Sequence, residues 1–197
     1  MDRVEDAVIG AAARVRVGAA GHRVLAEPDR VLAGIERALA HLESTRPGEV
    51  LTVVSSLADG ADRLVARAVL RREGARLVAV LPLPEEEFLE DFATPGSRAE
   101  FRSLRSGAHE VVVMPRQPTR EAAYRAASEH VLAHSDVLVA VWDGRPAQGA
   151  AGTGHVVARA RELGLPIAWV HAGNRRPGTM EPVSLGDDQG CVTFEGV

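Results

Sequence analysis

The chain has 197 residues, 46% of them hydrophobic and 25% charged, with a formal net charge of -4. That length suits one domain with a sizeable core, and the balance fits an ordinary globular protein and argues against disorder and a dominant nucleic-acid role. All 23 basic residues are arginine, so Schiff-base lysine, Walker-lysine and Ser-Lys chemistry are excluded, and phosphate must be met by arginine, backbone N–H groups or a metal.

Cys191 is the single cysteine and has no internal disulfide partner, which suits a reducing compartment. The opening residues are acidic early and lack a charged-then-apolar signal pattern. No apolar run approaches a membrane span. A cytoplasmic protein with no membrane association is expected.

Apolar β-branched runs alternate with helical patterns along the chain, the mark of stacked βαβ units. A first strand is predicted from about Arg14 to Ala19, and a helix from about Pro28 to Ser44 with Val31, Leu32, Ile35, Leu39 and Leu42 on one face. Val50 to Ser55 reads as a strand buried on both sides. Its helix is expected to start near Asp59 as N-cap and to end near Glu73, before Gly74. Arg76 to Leu81 is the third strand, stopped by Pro82 and Pro84.

Residues 85 to 106 are acidic and then mixed, with Pro95-Gly96 inside. Two short helices, or a helix and a mobile loop, are expected there, and the segment is a candidate lid over the pocket. Glu110 to Met114 is a short fourth strand and Arg120 to His134 a helix. The strand from Asp136 to Trp142 is the most apolar in the chain. A glycine-rich loop then leads to a helix from about Thr153 to Leu163, followed by a strand from Pro166 to Val170. The tail from 173 to 197 carries a candidate edge strand around Cys191 to Phe194. No repeat or linker interrupts this order. The expectation is a Rossmann-like, doubly wound, mostly parallel sheet of six or seven strands in one domain over 1–197, with its core about 14–172.

In such sheets ligands sit outside the carboxyl ends of the strands, near the switch in strand order. Three segments leave those ends with distinctive chemistry. In the first, Gly21 permits unusual backbone angles, Arg23 offers a charge-assisted bond to phosphate, and His22 offers a donor or a base.

In the second, Ser55 and Ser56 end a strand, and the next helix presents free N–H groups. Asp59 and Asp62 lie three apart on its first turn. Capping accounts for Asp59; contacts to ribose hydroxyls are the alternative for either carboxylate. Arg63 reads as half of a surface ion pair.

In the third, Asp143 ends the apolar strand and Gly149, Gly152, Thr153, Gly154 and His155 open a helix. The glycines permit close backbone approach, and the Thr153 hydroxyl with the N–H groups after it can hold an anion. The spacing matches neither the dinucleotide fingerprint nor a Walker loop.

Elsewhere, His130 and His134 lie four apart on a helix but lack a third ligand, so no metal is expected. Trp142, Trp169 and Tyr124 read as core, with Trp142 also placed to stack on a base.

The combination of GHR after the first strand, SSLADGADR after the second, and DVLVAVWDG with GAAGTGHVVARARELGLPIAWV resembles the SLOG superfamily, named for the Smf/DNA-processing and Lonely-Guy proteins. The resemblance spans about Val15 to Val170. It implies a Rossmann-like fold and a nucleotide-derived ligand, either sensed or cleaved at its N-glycosidic bond. The last strand-loop-helix is also similar to nucleoside deoxyribosyltransferases.

Aligned with the Lonely-Guy motif PGGxGTxxE, the segment keeps Gly149, Gly152 and Thr153, which the resemblance implies hold phosphate. Gln148 and Ala150 replace the proline and second glycine, and Val156 stands at the position of the catalytic glutamate. The resemblance thus carries over the binding half of the motif and not the catalytic half.

Two functions follow as expectations. One is a nucleotide-binding sensor or regulatory module, with a separate effector protein as a further partner. The other is an N-glycosidic-bond hydrolase using Asp59, Asp62 or Asp143 as the acid-base or nucleophile. Single-stranded DNA binding is disfavoured by the acidic balance and few aromatics. No cofactor beyond the nucleotide ligand is expected, and analogy with relatives suggests a homo-oligomer.

Overall fold

The structure is a computed structural model that describes residues 13–146 and 152–197. Seven strands form one sheet: β1 Arg14–Gly21, β2 Val50–Ser55, β3 Arg76–Leu81, β4 Glu110–Val113, β5 Val137–Trp142, β6 Ile167–His171 and β7 Val192–Glu195. Six helices connect them: α1 Pro28–Thr45, α2 Ala61–Leu70, α3 Glu85–Leu89, α4 Pro95–Ser106, α5 Arg120–Ala133 and α6 Thr153–Glu162.

The strand order is β4-β3-β2-β1-β5-β6-β7. Every pairing is parallel except β6 with β7. This is a Rossmann-like α/β domain. The chain runs outward from β1 to β4, then crosses back to β5 on the other side of β1. The switch in strand order therefore lies between β1 and β5, and the register pairs Gly21 with Val141 at their carboxyl ends.

Both faces of the sheet are covered, which is why its central strands read as continuous apolar runs. All six residues of β5 are buried. On one face Val17, Val53 and Val139 pack with Val31, Ile35 and Leu39 of α1 and Val65 and Val69 of α2. On the other, Leu138, Ala140 and Ile167 meet Val157 and Ala160 of α6, while Val54, Val78 and Val80 meet Ala127 and Val131 of α5. Each fully buried Val, Leu or Ile contributes roughly 1.5–3 kcal/mol of transfer free energy.

Residues 85–106 form the two short helices of the first alternative. They are anchored, which argues against a loose lid: Phe88, Phe92 and Phe101 are fully buried and pack ring against ring at 4.9–5.4 Å. The acidic run there is paired with arginines, Glu85 with Arg105 and Asp91 with Arg120. Among the described residues, no helix is long and apolar enough to cross a membrane.

Candidate functional site

The site forms where β1 and β5 end side by side. The His22 amide donates to the Val141 carbonyl at 3.1 Å, extending the pairing one residue past β1. His22 is buried, and its Nε2 accepts the Asp143 amide hydrogen at 3.1 Å. The Asp143 carboxylate lies 3.3 Å from that nitrogen and also accepts the Arg145 amide. Burial lowers the His22 pKa below its ordinary 6.5, with the Asp143 carboxylate opposing in part. The bond from the Asp143 amide requires Nε2 to be unprotonated, and burial favours the neutral ring.

Gly21 has its own reason to be glycine. Its φ is not positive; an added Cβ would lie 2.5 Å from the Ala61 Cβ and 2.6 Å from the Val141 carbonyl oxygen. Close packing of β1 against α2 and β5 demands it, rather than the unusual backbone angles expected from sequence.

The start of α2 differs most from expectation. The helix begins at Ala61 with Gly60 as N-cap, so Asp59 is not the cap. The Ala61 amide donates to the His22 carbonyl at 3.0 Å, so the chain itself occupies part of this helix terminus. Asp59 instead pairs with Arg63 at 2.9 Å and accepts the Ser97 hydroxyl.

Arg63 is no surface residue. It is 2% exposed, donates to the Leu57 carbonyl and to Ser97 on α4, meets Glu100, and lies 4.4 Å over the Phe92 ring. This buried guanidinium fastens the α3–α4 wall to α2. Leu57 adopts a left-handed backbone, φ 56, held by its buried side chain, its carbonyl bond to Arg63 and its amide bond to the Ser55 hydroxyl. Ser55 is wholly buried and serves this turn rather than a ligand.

Asp62 is also buried, and burial raises its pKa to about 7, against the opposing effects of the Ala58 amide, Arg23, Arg63 and the Ser55 hydroxyl. Its amide bond from Ala58 is long, at 3.4 Å.

A cavity of about 1330 Å³ lies over these strand ends. Gly21, His22 and Arg23 line it from β1, and Trp142, Asp143 and Arg145 from β5; Gly152, Thr153 and Gly154 line it from the start of α6. Asp59, Asp91, Thr94 and Ser97 form one wall. The segment from Gly173 to Leu185, which brings Arg175 and Arg176, forms another. The sequence reading missed this tail wall, because no motif marks it. Gln189 holds it, accepting the Gly173 and Leu185 amides and donating to the Ala26 carbonyl at 2.7 Å.

A smaller cavity of about 100 Å³ shares Gly21, Arg23 and Thr153 with the large one. Ser56, Asp62, Tyr124, Ser128 and Val156 also line it. The Arg23 guanidinium sits 5.4 Å over the Tyr124 ring.

Helix α6 begins at Thr153 with Gly152 as N-cap, and no side-chain cap engages it. The first amide to bond back within the helix is that of His155, to the Gly152 carbonyl. The His155 side chain is exposed and lines neither cavity, in contrast to its assignment from sequence. Gly149 lies outside the described residues.

Trp142 is 5% exposed. Trp169 lies 5.3 Å from its ring at a tilt of 42° and Arg161 lies 5.7 Å over it, so Trp142 is mostly packed within the chain although its edge lines the cavity. His130 and His134 stack on each other at 3.9 Å, and no metal-binding group of three or more acidic, His or Cys side chains occurs among the described residues.

No family model matches the chain, and no curated protein is significantly similar to it.

Proposed function

We propose that the protein binds a nucleotide-derived small molecule in the large cavity, as a sensor or regulatory module. The observation that carries this reading is the convergence of three chain segments on one cavity. Arg23 arrives from β1, Asp143 and Arg145 from β5, and the uncapped start of α6 from Gly152 to Gly154. A helix start supplies N–H groups and the positive end of a dipole, which with arginine suits a phosphate. The strand-order switch beneath it is where doubly wound sheets hold nucleotides.

The sequence resemblance to the SLOG superfamily supports the same ligand class. On that reading the phosphate rests on the loop from Gly149 to Gly154 and Thr153, with Arg23 as counter-charge. A homo-oligomeric state and a separate effector protein belong to the same proposal, by analogy with the SLOG superfamily that the sequence resembles.

A second reading, N-glycosidic-bond hydrolysis, is favoured by one observation. Val156, at the position of the Lonely-Guy glutamate, lines the small cavity together with Asp62. A carboxyl from α2 thus shares that space, with a pKa near 7 that suits a general acid or base. Asp143 and Asp59 are weaker candidates, since each carboxylate is already engaged by neighbours.

Nucleoside monophosphates, dinucleotides and cyclic nucleotides, with melting temperature and base release followed together, separate the two readings. A stabilising ligand left intact supports the sensor. Turnover abolished by Asp62→Asn supports the hydrolase, and no stabilisation by any member refutes both.

A further inference from the structure

The small cavity behind Gly21 is lined by one buried hydroxyl without a partner and by one sparsely bonded buried carboxyl. The Tyr124 hydroxyl is buried and has no hydrogen-bond partner among the described residues. Asp62 is 7% exposed and receives one long amide bond, at 3.4 Å, with the Ser55 hydroxyl as its other close donor. Buried polar groups are almost always satisfied, so an unpartnered phenol sharing a cavity with a sparsely bonded carboxyl points to a partner from outside the chain.

Their chemistry restricts that partner. A carboxylate requires a donor, and a phenol donates or accepts. A phosphate offers acceptors alone: it gives the Asp62 oxygens no donor, and it faces a like charge whenever Asp62 is ionised. A hydroxyl both donates and accepts, and the Ser56 and Ser128 hydroxyls lining the same cavity can extend its bonding. At about 100 Å³ the cavity exceeds the roughly 10–15 Å³ that one water needs by the same kind of measure, so it admits a group larger than a single water. It opens beside Arg23 and Thr153, which also face the large cavity where the phosphate is proposed to rest.

We propose that this cavity is a sugar-hydroxyl subsite, in which Asp62 accepts from a ribose hydroxyl and Tyr124 completes its bonding, so that the protein selects ribonucleotides over their deoxy forms. The subsite rests on the nucleotide reading and adds to it a residue, Tyr124, that sequence analysis assigned to the core.

Titration calorimetry with nucleoside 5′-monophosphates and their 2′,3′-dideoxy counterparts tests it, on the wild-type chain and on Tyr124→Phe and Asp62→Asn. The ribo form binds wild type about 10- to 100-fold more tightly than the dideoxy form, as expected for a site built to bond a hydroxyl. Each variant removes most of that difference while leaving the affinity for the dideoxy form unchanged. Tyr124→Phe keeps or raises the melting temperature of the unliganded protein, because the hydroxyl has no internal bond to lose.

Equal binding of ribo and dideoxy forms overturns the subsite while the nucleotide reading stands. So does an equal loss of both forms in the variants, or a fall in melting temperature for Tyr124→Phe. Absence of binding by every nucleotide overturns the nucleotide reading and the subsite with it.

Discussion

His22 Nε2 accepts the main-chain N–H of Asp143 at 3.1 Å, tying the end of β1 to the end of β5 across the switch in strand order. The bond exists only while that nitrogen is unprotonated. Protonation removes the acceptor and makes the same nitrogen a donor facing the Asp143 carboxylate 3.3 Å away.

Burial lowers the His22 pKa below 6.5, so on acidification the unfolded chain takes up the proton first. Stability from this group is complete above about pH 6.5 and falls as pH drops through the folded-state value. Histidine-selective NMR titration is expected to place His22 below the ordinary 6.5. Denaturant melts of His22→Gln should lose this part of the acid sensitivity.

Asp62 acts in the opposite sense. Its carboxyl is raised from 3.8 to about 7, so the folded protein holds a proton that the unfolded chain has released. Stability therefore falls as pH rises from about 4 to about 7. Asp62→Asn removes that loss and raises stability above pH 7 by an amount on the order of a few kcal/mol. Urea melts of both proteins at pH 5 and pH 8 check the sign: the gap is expected to be wider at pH 8.

Arg63 joins α2 to the α3–α4 wall through Ser97 and Glu100 while also pairing with Asp59. Arg63→Ala leaves those groups without their buried cation and exposes the Phe92 face. The expected cost is about 3–5 kcal/mol, or a melting temperature lowered by about 10 °C. Hydrogen exchange should rise first in residues 85–106. Unchanged protection there would show that the three phenylalanines hold the wall without the arginine.

Gln189 is 3% exposed and joins the tail to Ala26 through three hydrogen bonds. Gln189→Ala breaks all three, at about 1 kcal/mol each or somewhat more for the buried amides left unpaired. The tail wall carrying Arg175 and Arg176 should loosen while the sheet persists. Limited proteolysis is expected to cut between residues 174 and 188 in the variant and to spare the wild type.

The fold was largely legible because βαβ units are local: apolar runs, helical stripes and turn residues each report on neighbours a few positions away. The strands from Val50, Arg76 and Val137 could be read that way, as could the helix beginning at Thr153. The site was less legible. Arg63 is an ordinary helix residue in sequence, and its burial follows from α4 arriving 34 positions later with Ser97. Asp59 looked like a cap, but the His22 carbonyl, delivered by another strand, reaches the helix start first. Gly21 could be singled out from sequence, but the reason for it lies in Ala61 and Val141.

The sequence alone determined which residues sit at strand ends and which chemistry lysine-free phosphate recognition must use, since both depend on local spacing and residue type. Tertiary structure decided which polar groups remain available. Whether a carboxylate or hydroxyl is engaged depends on partners distant in the chain: Asp59 and Asp62 differ only in what the folded chain brings beside them, and the Tyr124 hydroxyl has no partner among the described residues.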